Sequence, residues 1–194
     1  MNSEEAALLR QLIVGVIASS LQGIPSVDWV IKRARHNDKA RHAVAEFLHD
    51  DSALRAGVYL SSDQSGVLLI HDTRVRVPML ASFILKLKLT FKAVGIWRAP
   101  VVLRRTKLIR AQHPADKKFL YVPYFGVLPG ERGRGAAREL KNLLFKKSND
   151  LGLPVYLETT QEQNRRVYER YGFTVFHEVR MKGSRFTTWM MKRG

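Results

Sequence analysis

The residues best suited to chemistry gather in Gly126-Val127-Leu128-Pro129-Gly130-Glu131-Arg132-Gly133-Arg134-Gly135-Ala136-Ala137. A strand ends there, a turn rich in glycine and arginine follows, and a helix opens on two alanines. The first turn of a helix exposes unpaired amides and the positive end of the dipole. Small residues let an anion approach that backbone, and Arg132 and Arg134 add charge. A phosphate or pyrophosphate is the fitting ligand. The competing reading is a plain turn made by Gly133 and Gly135. The spacing is neither that of a phosphate loop ending in Gly-Lys-Ser/Thr nor that of the dinucleotide fingerprint.

Three titratable residues are candidates for proton transfer. Tyr168 lies four residues after Asn164, so the two share a helix face. Its alternative role is an aromatic packed on the sheet beside Val167 and Tyr171. Glu158 sits near the end of a strand and is a base or a surface carboxylate. His113 titrates near neutrality, but its place before Pro114 also suits an ordinary loop. No His and carboxylate pair has metal-ligand spacing, so no metal is expected. The absence of cysteine excludes a disulfide framework, a Cys-ligated zinc and a Cys nucleophile.

These residues need elements to hold them. Phe119–Leu128 reads as a strand, Arg134–Asn149 as a helix, and Leu153–Thr159 as a strand. Gln161–Tyr171 is a helix, with Thr160 and Gln163 as capping box and Gly172 as stop. Phe173–Arg180 and Arg185–Lys192 flank a hairpin turn at Gly183-Ser184. The order implies a mixed sheet. Upstream, residues 38–49 form a helix that Asp38 can cap. Ala56–Ser61 and Gly66–His71 form a hairpin around Ser62-Asp63-Gln64-Ser65. Leu80, Phe83, Ile84, Leu87 and Phe91 draw an apolar line along a helix. Leu103–Gln112 is a further helix that ends before His113-Pro114. Residues 4–21 are ambiguous: β-branching at Leu12–Ile17 favours a strand, and the pattern also tolerates a helix.

The chain has 194 residues, 45% of them hydrophobic and 26% charged, which suits one soluble domain over 1–194. Its net charge is +16, and residues 73–118 hold twelve basic residues against Asp116 alone, a net of +11. Such a field attracts polyphosphates, nucleic acid or acidic lipid. A solvated basic face over a core-facing helix is the favoured reading of that segment. Nucleic-acid, ribosome or anionic-membrane binding is the alternative. The run Leu12–Leu21 follows Glu4 and Glu5 and is too short to span a bilayer, which gives neither a secretory signal nor a membrane span. The expected location is cytoplasmic.

Arg132-x-x-Gly135-x-Ala137 resembles the acetyl-CoA signature of the GNAT N-acetyltransferases, Gln/Arg-x-x-Gly-x-Gly/Ala, here after Val127-Leu128-Pro129. Asn164-x-x-x-Tyr168-x-x-x-Gly172-Phe173 resembles the family's second motif. His113-Pro114 and Tyr156-Leu157-Glu158-Thr159 are similar to an uncharacterised bacterial subgroup with a basic insert before its fourth strand. The resemblance implies an α/β (α+β) GNAT fold of about seven strands, mixed and mostly antiparallel. It implies a first strand at Leu12–Ile17, and a splay between the fourth and fifth strands that Pro123 suits. It implies direct acetyl transfer from acetyl-CoA to a primary amine, small molecule or peptide, with CoA as product. By resemblance the cofactor is bound by Phe125, Gly126, Val127, Arg132, Gly133, Arg134, Gly135, Ala136, Ala137, Asn164 and Tyr168. Tyr168 protonates the thiolate, Glu158 is the candidate base, and amides at a bulge near Val127 meet the oxyanion. A homodimer is compatible with the resemblance.

Overall fold

The computed structural model describes residues 2–31, 37–116, 118–181 and 183–194. Its first element is a helix, α1 (Ser3–Ser20), where a strand over Leu12–Ile17 is expected. Two facts explain the difference. Asn2 and Glu5 form a reciprocal capping box: Glu5 N–H donates to Asn2 Oδ1 at 2.7 Å, and Asn2 N–H donates to Glu5 Oε2 at 3.0 Å. Ile13, Val14, Val16 and Ile17 then share one buried side of the helix. Burying each such side chain contributes roughly 1.5–3 kcal/mol, whereas strand preference spans only about 1 kcal/mol, so packing overrides β-branching.

After α2 (Pro25–Val30) comes α3 (Asp38–Ala53). Its N-cap is Asn37 rather than Asp38. The Asn37 side chain accepts from Ala40 N–H at 3.0 Å, and Asp38, one residue inside, pairs with Arg41 at 2.5 Å. The predicted hairpin forms as β1 (Val58–Leu60) and β2 (Gly66–Asp72). Adding β3 (Leu120–Val127), β4 (Val155–Thr159), β5 (Thr174–Val179) and β6 (Thr188–Arg193) gives six strands in the order β1-β2-β3-β4-β6-β5. One fewer strand than expected follows from α1 taking the place of the first. The β3–β4 pair is parallel and the others are antiparallel.

The remaining helices lie between strands. The basic segment, which falls between β2 and β3, holds α4 (Met79–Leu89), a single π turn (Thr90–Val94) and α5 (Ala99–Arg110). Lys117 of that segment lies outside the described residues. α6 (Ala136–Leu151) joins β3 to β4, and α7 (Glu162–Arg170) joins β4 to β5.

Side-chain alternation divides the core into two layers. Val67 and Leu69 of β2 pack with α1, and Leu68 and Ile70 pack with Leu140 and Leu144 of α6. In β3 the parity breaks. Leu120, Val122 and then Phe125 belong to the α6 layer, while Tyr124 belongs to the α1 layer. The break is a bulge: Leu69 faces Tyr124 and His71 faces Tyr121, so β3 spends one extra residue around Val122–Pro123.

The apolar line of α4 does not face the core. Ser82 is the buried residue of this helix, while Leu80, Phe83, Ile84 and Leu87 are 71%, 61%, 42% and 44% exposed. The expectation of a core-facing helix is therefore reversed. Contact with the body goes through Leu89 and the π turn's Ala93, which meet Ile31, Ala40 and Ala43.

His71, largely buried on β2, gives a pH prediction. It shares a 2.9 Å hydrogen bond with Ser52 Oγ and lies 3.7 Å from Asp51. Burial, and then the Arg55 charge, pull its imidazole from 6.5 down to about 4. The native ring stays neutral where the unfolded one binds a proton. Stability should therefore fall as pH drops from 6.5 to about 4, by about 3 kcal/mol at most. Melting temperature followed across that window should show the decline in the wild type and a flatter profile in His71→Gln.

Candidate active site

The site begins where β3 and β4 part. They pair at only three positions, Leu120 with Val155, Tyr121 with Tyr156 and Val122 with Leu157. β3 continues to Val127 and β4 to Thr159 without further pairing. Pro123 stands at the parting and has no amide to donate. Leu128 N–H donates to Ser65 O at 2.9 Å. Backbone direction alternates along a strand, so Gly126 also turns toward β2, while Phe125 and Val127 aim their N–H and C=O at the open side. The bulge thus lies at Val122–Pro123, not near Val127, and the open strand edge begins just beyond it. Gly126 has a packing reason as well: a Cβ there would collide with the Tyr124 hydroxyl, which hydrogen-bonds Ser20 Oγ.

Beyond β3 the chain makes a 3₁₀ turn (Pro129–Glu131), then Arg132, Gly133, Arg134 and Gly135 lead into α6. Gly133 and Gly135 have φ of 88° and 111°, a region that favours glycine. The helix accordingly starts at Ala136 rather than Arg134, with no side chain capping its first amides. The two arginines differ. Arg134 pairs with Glu131 at 2.6 Å, while Arg132 is exposed and lies close enough to Tyr124 to favour that phenol's ionised form.

A cleft of about 240 Å³ occupies the parting, bordered by Val122–Phe125 on one side and by Leu157–Gln161, Asn164 and Tyr168 on the other. Helix α7 aims both motif residues into it, as their spacing predicts. Its C-terminus explains how. Gly172 (φ 84°) donates to Glu169 O at 2.9 Å, and Phe173 N–H donates to Tyr168 O at 3.0 Å. This 6→1 closure sets the Phe173 ring 5.7 Å from the Tyr168 ring. Burial raises the Tyr168 phenol well above its ordinary range, with Tyr124 and Tyr171 adding to the shift. Tyr168 therefore both packs on the sheet and lines the cleft.

The predicted capping box at Thr160 and Gln163 does not form. Thr160 Oγ1 instead donates to Ser26 Oγ of α2 at 3.3 Å, and the N-cap position passes to Gln161. Asn164 Nδ2 donates to Gln161 Oε1 at 2.9 Å.

Glu158 and His113, read separately in the sequence, come together. Glu158 Oε1 lies 3.9 Å from His113 Nε2, too far for a hydrogen bond. The His113 ring stacks on Phe119 at 5.2 Å and meets the edges of Tyr121 and Tyr156 at 5.6 Å. Burial, and then Arg110, lower its pKa, so the ring is neutral. Burial raises the Glu158 carboxyl, with Arg105 opposing. Glu158 Oε1, His113 Nε2 and Arg105 Nε are buried without a hydrogen-bond partner among the described residues. Buried polar atoms are rarely left so in native proteins, which sets this corner apart from the rest of the core. Both Arg105 and Glu158 line the cleft. Sequence reasoning missed Arg105 and Tyr124: the first was one of many basic residues in its segment, and the second one of many aromatics in its strand.

A parallel strand pair that splays at a bulge, followed by a glycine turn into a helix, is the defining arrangement of a fold class. The family model for the Acetyltransferase (GNAT) family matches residues 93–173, which contain the splay, the glycine turn and α7. Over 58 residues it is 42% identical to an uncharacterised N-acetyltransferase of Schizosaccharomyces pombe, a match that spans 30% of this chain and only 24% of that relative. The whole fold is similar to that of the histone acetyltransferase HPA2 and related acetyltransferase of Corynebacterium glutamicum. There the TM-score is 0.67 at 18% identity, over 100% of this chain and 92% of the other. It is also similar to the C-terminal condensation domain of Ebony, with a TM-score of 0.67 at 10% identity, over 95% and 93% of the two chains. At these identities the likeness is one of fold.

Proposed function

We propose that residues 1–194 act as one N-acetyltransferase unit that moves an acetyl group from acetyl-CoA to a primary amine. The observation that carries this reading is a buried carboxylate, Glu158, bordering the same cleft that Tyr168 lines. Acetyl-CoA supplies the activated thioester. The open backbone of Phe125 and Val127 holds its pantetheine arm as an added strand, and Gly126 keeps that strand seated against Tyr124. The amides of Gly133, Gly135, Ala136 and Ala137 receive the pyrophosphate at the start of α6, with Arg132 as the principal charge and Arg134 as a secondary one. Asn164 fixes the cofactor from α7.

Glu158 takes the proton of the incoming amine, helped by the raised affinity for protons that burial gives it. A strand amide facing the cleft polarises the thioester carbonyl. Tyr168, held protonated by its surroundings, donates to the departing thiolate. Leu21, Ile24, Val27, Val44 and Leu48 form an apolar wall opposite, which suits an amine on an apolar small molecule or peptide. The charge field of the basic segment disfavours polycationic acceptors.

Binding is tested by thermal shift with acetyl-CoA. Arg132→Glu should abolish the shift, while Arg134→Ala, whose side chain is tied to Glu131, should reduce it only about twofold to fivefold. Transfer is tested by thiol release across an amine panel. No thermal shift and no thiol release with any amine would remove the proposal.

A further inference from the structure

Helix α4 is built inside-out. At about 100° per residue, Met79, Leu80, Phe83, Ile84 and Leu87 of α4 fall within an arc of roughly 140°, and Phe91 follows in the π turn. They are 42–87% exposed. Lys88 lies at one edge of the arc and Lys86 at the other, and both are exposed. The side toward the body carries the small Ser82 and Leu89. The loop that follows continues the surface, with Ile96 61% and Trp97 95% exposed. A large apolar face on a soluble surface marks an interaction site.

We infer that this face docks on an anionic lipid bilayer, lying in its interface with the apolar arc inserted and the lysines at headgroup level. Charge decides among the occupants. The face sits in the +11 segment, so a second copy of the same face would bring like charge against like. Nucleic acid calls for polar and basic contacts, not a row of leucine, isoleucine and phenylalanine. An interfacial helix requires apolar residues in one arc, basic residues at its edges and an aromatic near the boundary, and all three occur here. No described helix is long and apolar enough to cross a membrane. The proposal does not depend on the acetyl-transfer reading.

The test is vesicle flotation of the full chain with phosphatidylglycerol-rich and pure phosphatidylcholine vesicles. Capture by the anionic vesicles, weaker at high salt, is the expected result. Phe83→Ser with Leu87→Ser should lower the apparent affinity at least about tenfold, and Lys86→Glu with Lys88→Glu should remove most of the salt dependence. Melting temperatures should be unchanged because these side chains are exposed. Ile96→Ser with Trp97→Ser, in the loop, gives an independent apolar variant with the same expected loss should the helix variant fold poorly. No capture by anionic vesicles at low salt would overturn the proposal. So would capture that survives both apolar variants, which is charge adsorption alone. A concentration-dependent dimer, or RNA binding, that the apolar variants abolish while vesicles are ignored would assign the face to another occupant.

Discussion

Tyr168→Phe should lower turnover by about 100-fold or more while leaving acetyl-CoA affinity nearly unchanged. The substitution removes one hydroxyl and keeps the ring against Phe173, so the closure at Gly172 and the seating of α7 survive. The phenol is raised by burial, and it therefore stays protonated throughout the neutral range and can donate. Steady-state kinetics together with cofactor titration separate the two quantities. Tyr124→Phe is the control. Its hydroxyl is engaged by Ser20 and its phenol is pushed up to about 12 by burial, so its loss should alter turnover little. Unchanged turnover in Tyr168→Phe would exclude that residue as the acid. An equal fall in both variants would point to packing between the rings.

Glu158→Gln should reduce kcat/KM by about 100-fold and remove the acidic limb of its pH profile. The base works only as carboxylate, so wild-type activity rises with pH through a value above the ordinary carboxyl range near 4.5. The same shift has a stability consequence of opposite use. Between its unfolded value and its raised native one, the native carboxyl binds the proton and the unfolded one does not. Wild-type stability therefore falls as pH rises through that window, and Glu158→Gln flattens the fall. A stable, well-folded Glu158→Gln protein with wild-type kcat/KM would exclude Glu158 as base. His113 is neutral beside it and stacked on Phe119, and it shapes the carboxyl's surroundings without bearing a charge.

Much of the second half of the chain was legible because signals of different kinds agree there. Gly172 and Gly152 stop helices, Pro123 falls where β3 and β4 part, and Asn164 and Tyr168 fall on one helix face. The first half was less so. Leu12–Ile17 is a run whose β-branching is overridden by a cap ten residues upstream and by burial against α3 and the sheet. Thr160 has the local spacing of a cap, yet its hydroxyl finds Ser26 at 134 residues' separation. The apolar line of α4 was visible, but periodicity reports that a helix has two sides and does not say which one meets the body. The meeting of Arg105, His113, Tyr121 and Glu158 belongs to three separate segments, so no spacing along the chain announces it.

The bulge at the strand parting bears on how the groove persists. A groove shaped by loop conformation can collapse when the loop moves. Here the ladder stops at the extra residue of β3: Leu120 N–H donates to Pro154 O on the β4 side, whereas Leu128 N–H donates to Ser65 O on the β2 side, so the even-numbered amides change sides across Val122–Pro123. The edge beyond, at Phe125 and Val127, thus stays open on the side that faces away from β2. An extended segment that offers an amide and a carbonyl can pair there without first displacing a strand among the described residues.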